Sequence, residues 1–254
     1  MTDTLKSHQQ DWELLGEEDP LWAVLSDAQK RHGGWDPEEF FATGVSDIAK
    51  LHDQQLVPFA LPKHRGKALD FGCGVGRLTF ALAKKYDHVV GLDISSSMLR
   101  RAEEFAGKRS SGNCTFVHNT SADLKVFPDR EFDLVYTNIV LQHVPDRDAI
   151  LSYVSEFIRV LKVGGIAVFQ IPSERNLRVR LNPRRIAYVA MRGIGFSPAW
   201  LMRKFNLSPI QMNSISPAEV TRAVEEAGGR ILRAERYDAG GSGSVGYLYF
   251  AARA

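Results

Sequence analysis

The chain has 254 residues, of which 44% are hydrophobic and 24% are charged, and its formal net charge is +2. These values are those of an ordinary soluble protein with a buried core. The first 20 residues are polar and acidic, which excludes a targeting peptide. No apolar run reaches the roughly 18–20 residues of a membrane span, so we expect a cytoplasmic protein. Cys73 and Cys114 lack a metal-binding spacing, so we expect reduced thiols and no metal site.

The N-terminal part of the chain is predicted to form a helical cap over residues 1–61. Residues 1–37 are rich in tryptophan and acidic residues, and Asp19-Pro20, Gly33-Gly34 and Asp36-Pro37 interrupt them. From residue 38 to about residue 61, apolar residues recur at helical spacing. The main domain is predicted to span residues 62–254.

Strand and helix patterns alternate through the first half of the main domain, which predicts a parallel sheet with helices on both faces. The predicted strands are Lys67–Phe71, His88–Asp93, Cys114–His118, Phe132–Thr137 and Gly165–Ile171. The predicted helices are Arg77–Tyr86, Ser96–Ala106 and Arg147–Lys162.

The last third of the chain predicts one more helix and two more strands. Ser216 begins a capping box with Pro217 at the first helical position, and this helix is expected to end near Ala227. The strands Arg230–Tyr237 and Val245–Ala252 are joined by a short turn rich in glycine and serine. Because the return is short, the last strand is expected to run antiparallel.

Three glycines at alternate positions, Gly72, Gly74 and Gly76, follow the first strand and precede a helix. Glycine is required where a Cβ would block a turn with positive φ or the close approach of a ligand to the backbone. A dinucleotide fingerprint needs its third glycine at the position of Arg77, and no Lys-Ser/Thr pair makes a phosphate loop. The loop therefore predicts a nucleotide-type cofactor without a pyrophosphate.

The stretch Asp70-Phe-Gly-Cys-Gly-Val-Gly76 resembles motif I of the class I S-adenosylmethionine-dependent methyltransferases. Four later stretches resemble that family in order and spacing: the strand end at Asp93, Ser121–Leu124, Phe132–Asp146 and Leu161–Gly165. The resemblance covers about residues 66–254. It implies a Rossmann-like, seven-stranded, mostly parallel α/β sheet whose last strand is antiparallel. It also implies S-adenosylmethionine as cofactor and S-adenosylhomocysteine as product.

The resemblance assigns a set of cofactor-binding residues. Asp93 is expected to accept hydrogen bonds from both ribose hydroxyls, although it also suits a helix N-cap. Asp123 is expected near the adenine amine, and Asp70 near the amino group of the cofactor. Arg77 is either a partner for the cofactor carboxylate or a solvated side chain. The full set is Asp70, Gly72, Cys73, Gly74, Gly76, Arg77, Asp93, Ile94, Met98, Ala122, Asp123, Asn138, Ile139 and His143.

The sequence also offers candidates for a catalytic base and for residues that contact the acceptor. His143 is our first candidate for a base, and a structural role capping the next helix is the alternative. Phe40 and Phe41, with Trp35 and Gly44, either close over the sulfonium, where a π face suits a cation, or pack the cap on the sheet.

An insertion of about residues 172–211 is predicted to form a basic helical lid. It carries eight basic residues and one acidic residue, interleaved with aromatic and apolar residues. Four interpretations remain open: a lid over an anionic, phosphorylated or glycan-linked small molecule, a contact with an anionic membrane, an RNA-facing patch, or a solvated basic face. The substrate candidates are Phe40, Phe41, Arg175, Arg178 and Tyr188.

The sequence therefore predicts a methyltransferase acting on a small-molecule or glycan- or lipid-linked acceptor, with O-methylation favoured over N-methylation. One alternative is a non-catalytic protein that binds S-adenosylmethionine. An NAD-dependent oxidoreductase and an RNA methyltransferase are weaker alternatives, and a nucleic-acid partner is not expected. Peripheral contact with a membrane is compatible with the basic insertion.

Overall fold

A seven-stranded sheet forms the centre of the protein, and its strand order is β3-β2-β1-β4-β5-β7-β6. The computed structural model describes residues 3–109, 111–174, 183–238 and 245–253. The strands are β1 (Lys67–Phe71), β2 (His88–Asp93), β3 (Cys114–His118), β4 (Phe132–Thr137), β5 (Leu161–Pro172), β6 (Gly229–Asp238) and β7 (Val245–Arg253).

The directions of the strands confirm the predicted fold class. The strand β1 pairs in parallel with β2 and β4, and the neighbouring pairs β2–β3 and β4–β5 are also parallel. The strand β7 runs antiparallel to both of its neighbours, β5 and β6. Strand β5 begins at Leu161 rather than at the predicted Gly165, because Phe132 of β4 already pairs with Leu161 before an irregularity in the register.

Nine α-helices occur in the described residues. They are α1 (Asp3–Glu18), α2 (Pro20–Val24), α3 (Pro37–Lys50), α4 (Thr79–Leu82), α5 (Ser96–Arg109), α6 (Arg147–Val160), α7 (Pro183–Gly193), α8 (Pro198–Phe205) and α9 (Pro217–Glu226). The capping box of α9 forms as predicted, with the Ser216 side chain and Glu219 capping each other's backbone N–H.

The helix predicted after the glycine loop is shorter than expected. Regular α-helix covers only Thr79–Leu82 instead of Arg77–Tyr86. The following turn tightens, since Lys84 N and Lys85 N donate to the carbonyl oxygens of Ala81 and Leu82, three residues earlier. The chain then reaches β2 directly. Glycine-rich backbone before α4 and a tight turn after it leave room for one helical turn.

The helical cap and the basic insertion share one hydrophobic cluster. The cluster joins α1–α3 to the glycine loop, α5, α7 and α8, and its buried members include Leu15, Trp22, Phe40, Val75, Met98, Tyr188 and Leu201. Two other clusters fill the faces of the sheet. The division of the chain at residues 61 and 62 and the lid role of residues 172–211 stay predictions.

No helix in the described ranges is both long and apolar enough to cross a bilayer. Two of the predicted substrate residues, Arg175 and Arg178, lie outside the described residues.

Candidate cofactor and acceptor site

The glycine loop forms a close backbone cradle at the carboxyl ends of β1 and β2. The N–H groups of Gly72 and Cys73 donate to the Leu92 carbonyl, at 2.7 and 3.0 Å. Gly72 and Gly74 have φ angles of 72° and 53°. A Cβ on Gly72 would lie 2.4 Å from a Val140 methyl carbon. The backbone conformation and the lack of space both require glycine here.

Asp93 is fixed at the end of β2 beside this cradle. Its Oδ2 accepts the Gly74 N–H at 2.8 Å, and its Oδ1 accepts the Ser95 N–H at 2.9 Å. The Ile94 N–H also acts on this carboxylate, and because two carboxylate oxygens can together accept about four hydrogen bonds, acceptor capacity remains for a ligand. Burial raises the pKa of Asp93, while these backbone N–H groups oppose that shift. The helix-start contact to Ser95 and a ligand-binding role are compatible.

Asp70 and Arg77 lie beneath the glycine loop. Burial raises the pKa of Asp70 to about 6, and its Oδ2 accepts the Thr79 hydroxyl at 2.6 Å. The buried guanidinium of Arg77 binds Asp47 of α3 at 2.7 Å and the Thr43 hydroxyl at 3.2 Å. Arg77 therefore ties the glycine loop to the cap, and its predicted contact with a cofactor carboxylate stays a prediction.

A cavity of about 70 Å³ lies between the glycine loop and the helices α1 and α2. We call it the cofactor cavity. The predicted cofactor residues that line it are Gly72, Gly74, Asp93, Ile94, Asn138, Ile139 and His143. The structure therefore brings together residues from three strand ends, as expected for an open parallel sheet.

The other predicted cofactor residues do not line this cavity: Asp70, Cys73, Gly76, Arg77, Met98, Ala122 and Asp123. Met98 is fully buried beneath α1, and a Cβ on Gly16 would come within 3.2 Å of its Cγ. Asp123 pairs with Lys125 at 3.1 Å, and Ala122 packs against the core.

Five lining residues were missed by the sequence reasoning: His8, Trp12, Ala23, Val24 and Val140. Four of them belong to α1 and α2, where no helix boundaries were predicted. His8 and Trp12 stand four residues apart on α1, which places them on one helix face. The four-residue spacing is the only sequence signal for His8 and Trp12. It does not show against which part of the molecule α1 packs.

A second cavity of about 140 Å³ adjoins the first, and we call it the acceptor cavity. The two cavities share His8, Trp12 and His143 as lining residues. The remaining lining is contributed by α1, by Arg185 of α7, and by the segment after α8, and it includes Asp11 and Gln211. The side chains of His8, Trp12 and His143 therefore form the boundary between the polar acceptor cavity and the cofactor cavity.

His143 is held by hydrogen bonds at both ring nitrogens. Its Nδ1 lies 2.7 Å from the Gln211 carbonyl oxygen, which can only accept, so Nδ1 carries the proton. Its Nε2 then accepts from the Gln142 side-chain amide at 3.2 Å. Burial lowers the pKa of His143, so the ring is neutral. Its lone pair is already engaged, which favours a structural role.

His8 faces both cavities as a second neutral imidazole. Burial and the nearby His143 lower the pKa of His8 to about 4. Within the described part of the chain, no hydrogen bond to a ring nitrogen of His8 is present. The lone pair of His8 is therefore free, in contrast to that of His143.

A half-buried carboxylate lines the acceptor cavity. Asp11 binds Arg192 of α7 at 3.1 Å. Burial raises the pKa of Asp11, and the neighbouring Arg192 and Arg185 oppose that shift. The acceptor cavity therefore combines one carboxylate with guanidinium groups and neutral imidazoles.

Phe40 and Phe41 of the cap line neither cavity. Phe40 and Phe41 are buried and packed edge to face, with ring centroids 5.2 Å apart. Phe41 also contacts Phe80 of α4 at 5.5 Å. Tyr188 is likewise buried, in the cluster that joins the cap to α7. These contacts agree with the alternative in which Phe40 and Phe41 pack the cap on the sheet. A role of these residues at the sulfonium or at the substrate stays a prediction.

Comparison with known proteins identifies the class of this fold and site. A family model described as a methyltransferase domain matches residues 68–165. Residues 68–165 are therefore similar to a methyltransferase domain, and this match confirms the recognition made from the sequence.

Two relatives and one solved structure illustrate the similarity. Phosphoethanolamine N-methyltransferase of Triticum aestivum is 33% identical over 127 residues, which are 50% of this chain and 25% of the relative. Trans-aconitate 2-methyltransferase of Deinococcus radiodurans is 30% identical over 145 residues, 56% of this chain and 51% of the relative. The chain thus spans from a quarter to about half of these relatives.

The structure of magnesium protoporphyrin IX methyltransferase from Synechocystis PCC 6803 with bound S-adenosylhomocysteine shares the fold. Its TM-score is 0.62 at 19% identity, and the match covers 98% of this chain and 99% of that chain. At this identity the likeness concerns the fold.

Proposed function

We propose that this protein transfers the methyl group of S-adenosylmethionine to a small polar acceptor bound in the acceptor cavity. One observation carries the proposal: the acceptor cavity and the cofactor cavity share the side chains of His8, Trp12 and His143. A methyl donor in one cavity and a nucleophile in the other would meet at this boundary. Such positioning supplies on the order of 7–11 kcal/mol of the barrier reduction.

The residues of the cofactor cavity suit this cofactor. Gly72 and Gly74 provide a backbone surface without Cβ atoms, and the carboxylate of Asp93 keeps acceptor capacity for ribose hydroxyls. Asn138 and Ile139, at the end of β4, are proposed to line the methionine part.

The cap must move outward for binding. The cofactor cavity measures about 70 Å³, whereas small-molecule sites commonly need about 300–1,000 Å³. A Cβ on Gly74 would lie 2.5 Å from a Val24 methyl carbon, so α2 rests directly on the glycine loop. We propose that α1 and α2 form a cover that opens for the cofactor and closes over the reacting atoms.

The chemistry needs a positioned nucleophile, exclusion of water and a place for one proton. When bound, the cofactor supplies an activated methyl group on a sulfonium. A hydroxyl acceptor would lose its proton on transfer, and the free lone pair of His8 would accept it. A hydroxyl acceptor requires such a base, and a neutral amine does not. The neutral His8 therefore supports O-methylation ahead of N-methylation.

The acceptor cavity favours a small acceptor that carries an anionic group. Arg185 lines the cavity, and Arg192 adjoins it through Asp11. The names of the two relatives described above specify phosphoethanolamine and trans-aconitate. These names support the small-molecule class, and glycan- or lipid-linked acceptors stay within the proposal.

Incubation with methyl-labelled S-adenosylmethionine tests the proposal. The purified protein would be mixed with cell extract separated into small-molecule, lipid and glycan, RNA and protein fractions, and calorimetry would measure binding of S-adenosylhomocysteine and NAD. We expect label in the small-molecule or lipid and glycan fraction. Binding of S-adenosylhomocysteine without label in any fraction would instead identify a non-catalytic binder. Label in RNA, or binding of NAD alone, would overturn the proposal.

A further inference from the structure

The helices α7 and α8 expose an unusual amount of apolar surface. Among the described residues, six of the ten exposed large hydrophobic side chains lie between positions 186 and 205. We call these six the aromatic patch: Ile186, Val189, Ile194, Phe196, Trp200 and Phe205. Such a concentration of exposed apolar side chains in one short segment differs from the scattered single exposures of an ordinary surface, and a contiguous patch marks an interaction site.

The three rings of the aromatic patch are already packed on one another. Phe196 and Trp200 stack with centroids 5.2 Å apart and an interplanar angle of 12°. Phe205 meets the Trp200 ring edge-on at 4.9 Å. Even so, Trp200 is 42% exposed and Phe205 is 50% exposed. The rings therefore form a single ordered surface that no part of the described chain covers.

The helices α7 and α8 each have one buried apolar face and one exposed apolar face. On α7, Tyr188 is buried against the cap, while Ile186 and Val189 face outward. On α8, Leu201 and Met202 are buried, while Trp200 and Phe205 face outward. The fold therefore needs one apolar face of each helix, and the second apolar face has no role in holding the fold together.

All charged residues of the segment that carries the patch are basic. Residues 183–205 contain Arg184, Arg185, Arg192, Arg203 and Lys204 and no acidic residue, although the whole chain has a net charge of only +2. Arg192 and Arg203 are paired with Asp11 and Glu18 of α1. Arg184 and Lys204 are exposed beside the patch.

We infer that the aromatic patch docks this protein on an anionic lipid membrane surface. Aromatic and aliphatic side chains enter the interface between headgroups and acyl chains, and flanking basic residues bind anionic headgroups. A second copy of the same patch would bring two sets of positive charges together in a two-fold contact. Stacking on a nucleic acid would use the rings and leave Ile186, Val189 and Ile194 without a role.

The docking surface is continuous with the proposed acceptor site. Arg185 belongs to α7, and Ile210 follows α8, and both line the acceptor cavity. The segment that carries the aromatic patch therefore also contributes to the wall of the acceptor cavity. The inference itself concerns binding, so its test does not depend on methyl transfer.

Vesicle binding tests the inference, with tryptophan fluorescence as a local readout. Trp22 and Trp35 are buried and Trp12 is half-buried, so Trp200 is the tryptophan most open to a change of environment. Phosphatidylcholine vesicles containing about one third phosphatidylglycerol should pellet the protein and shift its emission to the blue. Vesicles of phosphatidylcholine alone should bind much less, and added salt should weaken the binding.

Two variants separate apolar from electrostatic contributions. Trp200→Ser/Phe205→Ser should lower the partition coefficient about tenfold or more, and Arg184→Glu/Lys204→Glu should do the same on anionic vesicles. Val57→Ser/Val163→Ser, which changes exposed apolar residues elsewhere, is the matched control and should bind normally. Thermal unfolding would verify that each variant is folded.

Three outcomes would overturn the inference. One is absence of binding to anionic vesicles by the unmodified protein. Another is equal binding by the unmodified protein and the Trp200→Ser/Phe205→Ser variant. The third is a dimer in sedimentation equilibrium, or binding of a single-stranded RNA oligonucleotide, that this variant abolishes while vesicle binding is unchanged.

Discussion

The two walls of the cofactor cavity are built on different principles. The sheet wall consists of strand ends joined by hydrogen bonds of the backbone: the Gly72 N–H donates to the Leu92 carbonyl, and the Gly74 N–H donates to the Asp93 carboxylate. The helix wall consists of side chains from α1 and α2, including His8, Trp12 and Val24, which reach the cavity by packing. We infer that the sheet wall is rigid and binds the cofactor, and that the helix wall moves and serves the acceptor.

The largest effect is expected from a substitution that disrupts the sheet wall. Gly72→Ala adds a Cβ at a residue with φ of 72° and 2.4 Å from a Val140 methyl carbon. Strain and overlap of this kind cost on the order of 1–3 kcal/mol, so we expect binding of S-adenosylhomocysteine to weaken on the order of a hundredfold. Calorimetry would measure this.

The matched control for this glycine is Gly107→Ala. A Cβ at Gly107, inside α5, meets nothing within 4 Å. This variant should bind normally and gain a little stability, since alanine favours a helix. Equal affinities of the two alanine variants would show that the glycine loop is not the cofactor cradle.

A substitution in the helix wall should change turnover rather than cofactor binding. His8→Gln should reduce turnover on the order of a hundredfold if the acceptor is a hydroxyl, because a general base contributes at least that much. Binding of S-adenosylhomocysteine should change little. The lowered pKa of His8, about 4, keeps the base deprotonated, so the rate should fall only as the pH drops towards that value.

His143→Gln is the comparison for this variant. The ring of His143 is engaged at both nitrogens by Gln211 and Gln142, so we expect a smaller loss of turnover than for His8→Gln. A larger loss of turnover for His143→Gln than for His8→Gln would identify His143 as the base. Normal turnover of both variants, with methylation established, would indicate an amine acceptor that needs no base.

A smaller effect is expected from the carboxylate of the sheet wall. Asp93→Asn should weaken binding of S-adenosylhomocysteine more than tenfold, because a hydrogen bond to a charged group is worth about 1.5–3 kcal/mol. Asp146→Asn is the control, since Asp146 accepts from the N–H of Asp148 in the same two-residue geometry but lies at the start of α6. If both variants affect only stability, Asp93 is a helix cap and not a ribose ligand.

The same contrast explains what the sequence could predict. Gly72, Gly74 and Asp93 lie at the ends of strands with clear apolar patterns, and their backbone contacts are local to β1 and β2. The parallel sheet followed from the alternation of strands and helices, and the antiparallel β7 followed from the short final turn. A reader of the sequence could therefore place this wall without tertiary information.

The helix wall could not be placed in this way. The periodicity of α1 permits a helix, but contacts such as those of Glu13 with the N–H groups of Ser96 and Ser97 fix where it lies. Arg77 shows the same limit on the other side of the loop. Its position in motif I pointed to the cofactor, yet the buried guanidinium binds Asp47, a residue thirty positions earlier. Such pairings depend on the packing of distant segments.

The smallest expected effect concerns the junction between cap and sheet, where His52 is buried against Tyr86. Burial, with help from Arg65 and Lys85, lowers the pKa of His52 to about 4. The unfolded chain therefore binds more protons than the folded one below the ordinary value of about 6.5, and stability falls as the pH falls. For this one group we expect a loss of about 1 kcal/mol between about pH 7 and about pH 5.5.

Chemical denaturation at both pH values, with His52→Phe as the variant, measures this contribution. Phenylalanine keeps the ring contact with Tyr86 and does not titrate, so the loss on acidification should shrink by about 1 kcal/mol. His8 and His143 have pKa values lowered in the same direction, so part of the dependence should remain in the variant. His8→Gln and His143→Gln should reduce that remainder further, whereas Asp70, whose pKa is raised to about 6, acts in the opposite direction in every variant. An unchanged pH dependence in His52→Phe would mean that the junction is open to water and that the cap is loose along its whole length.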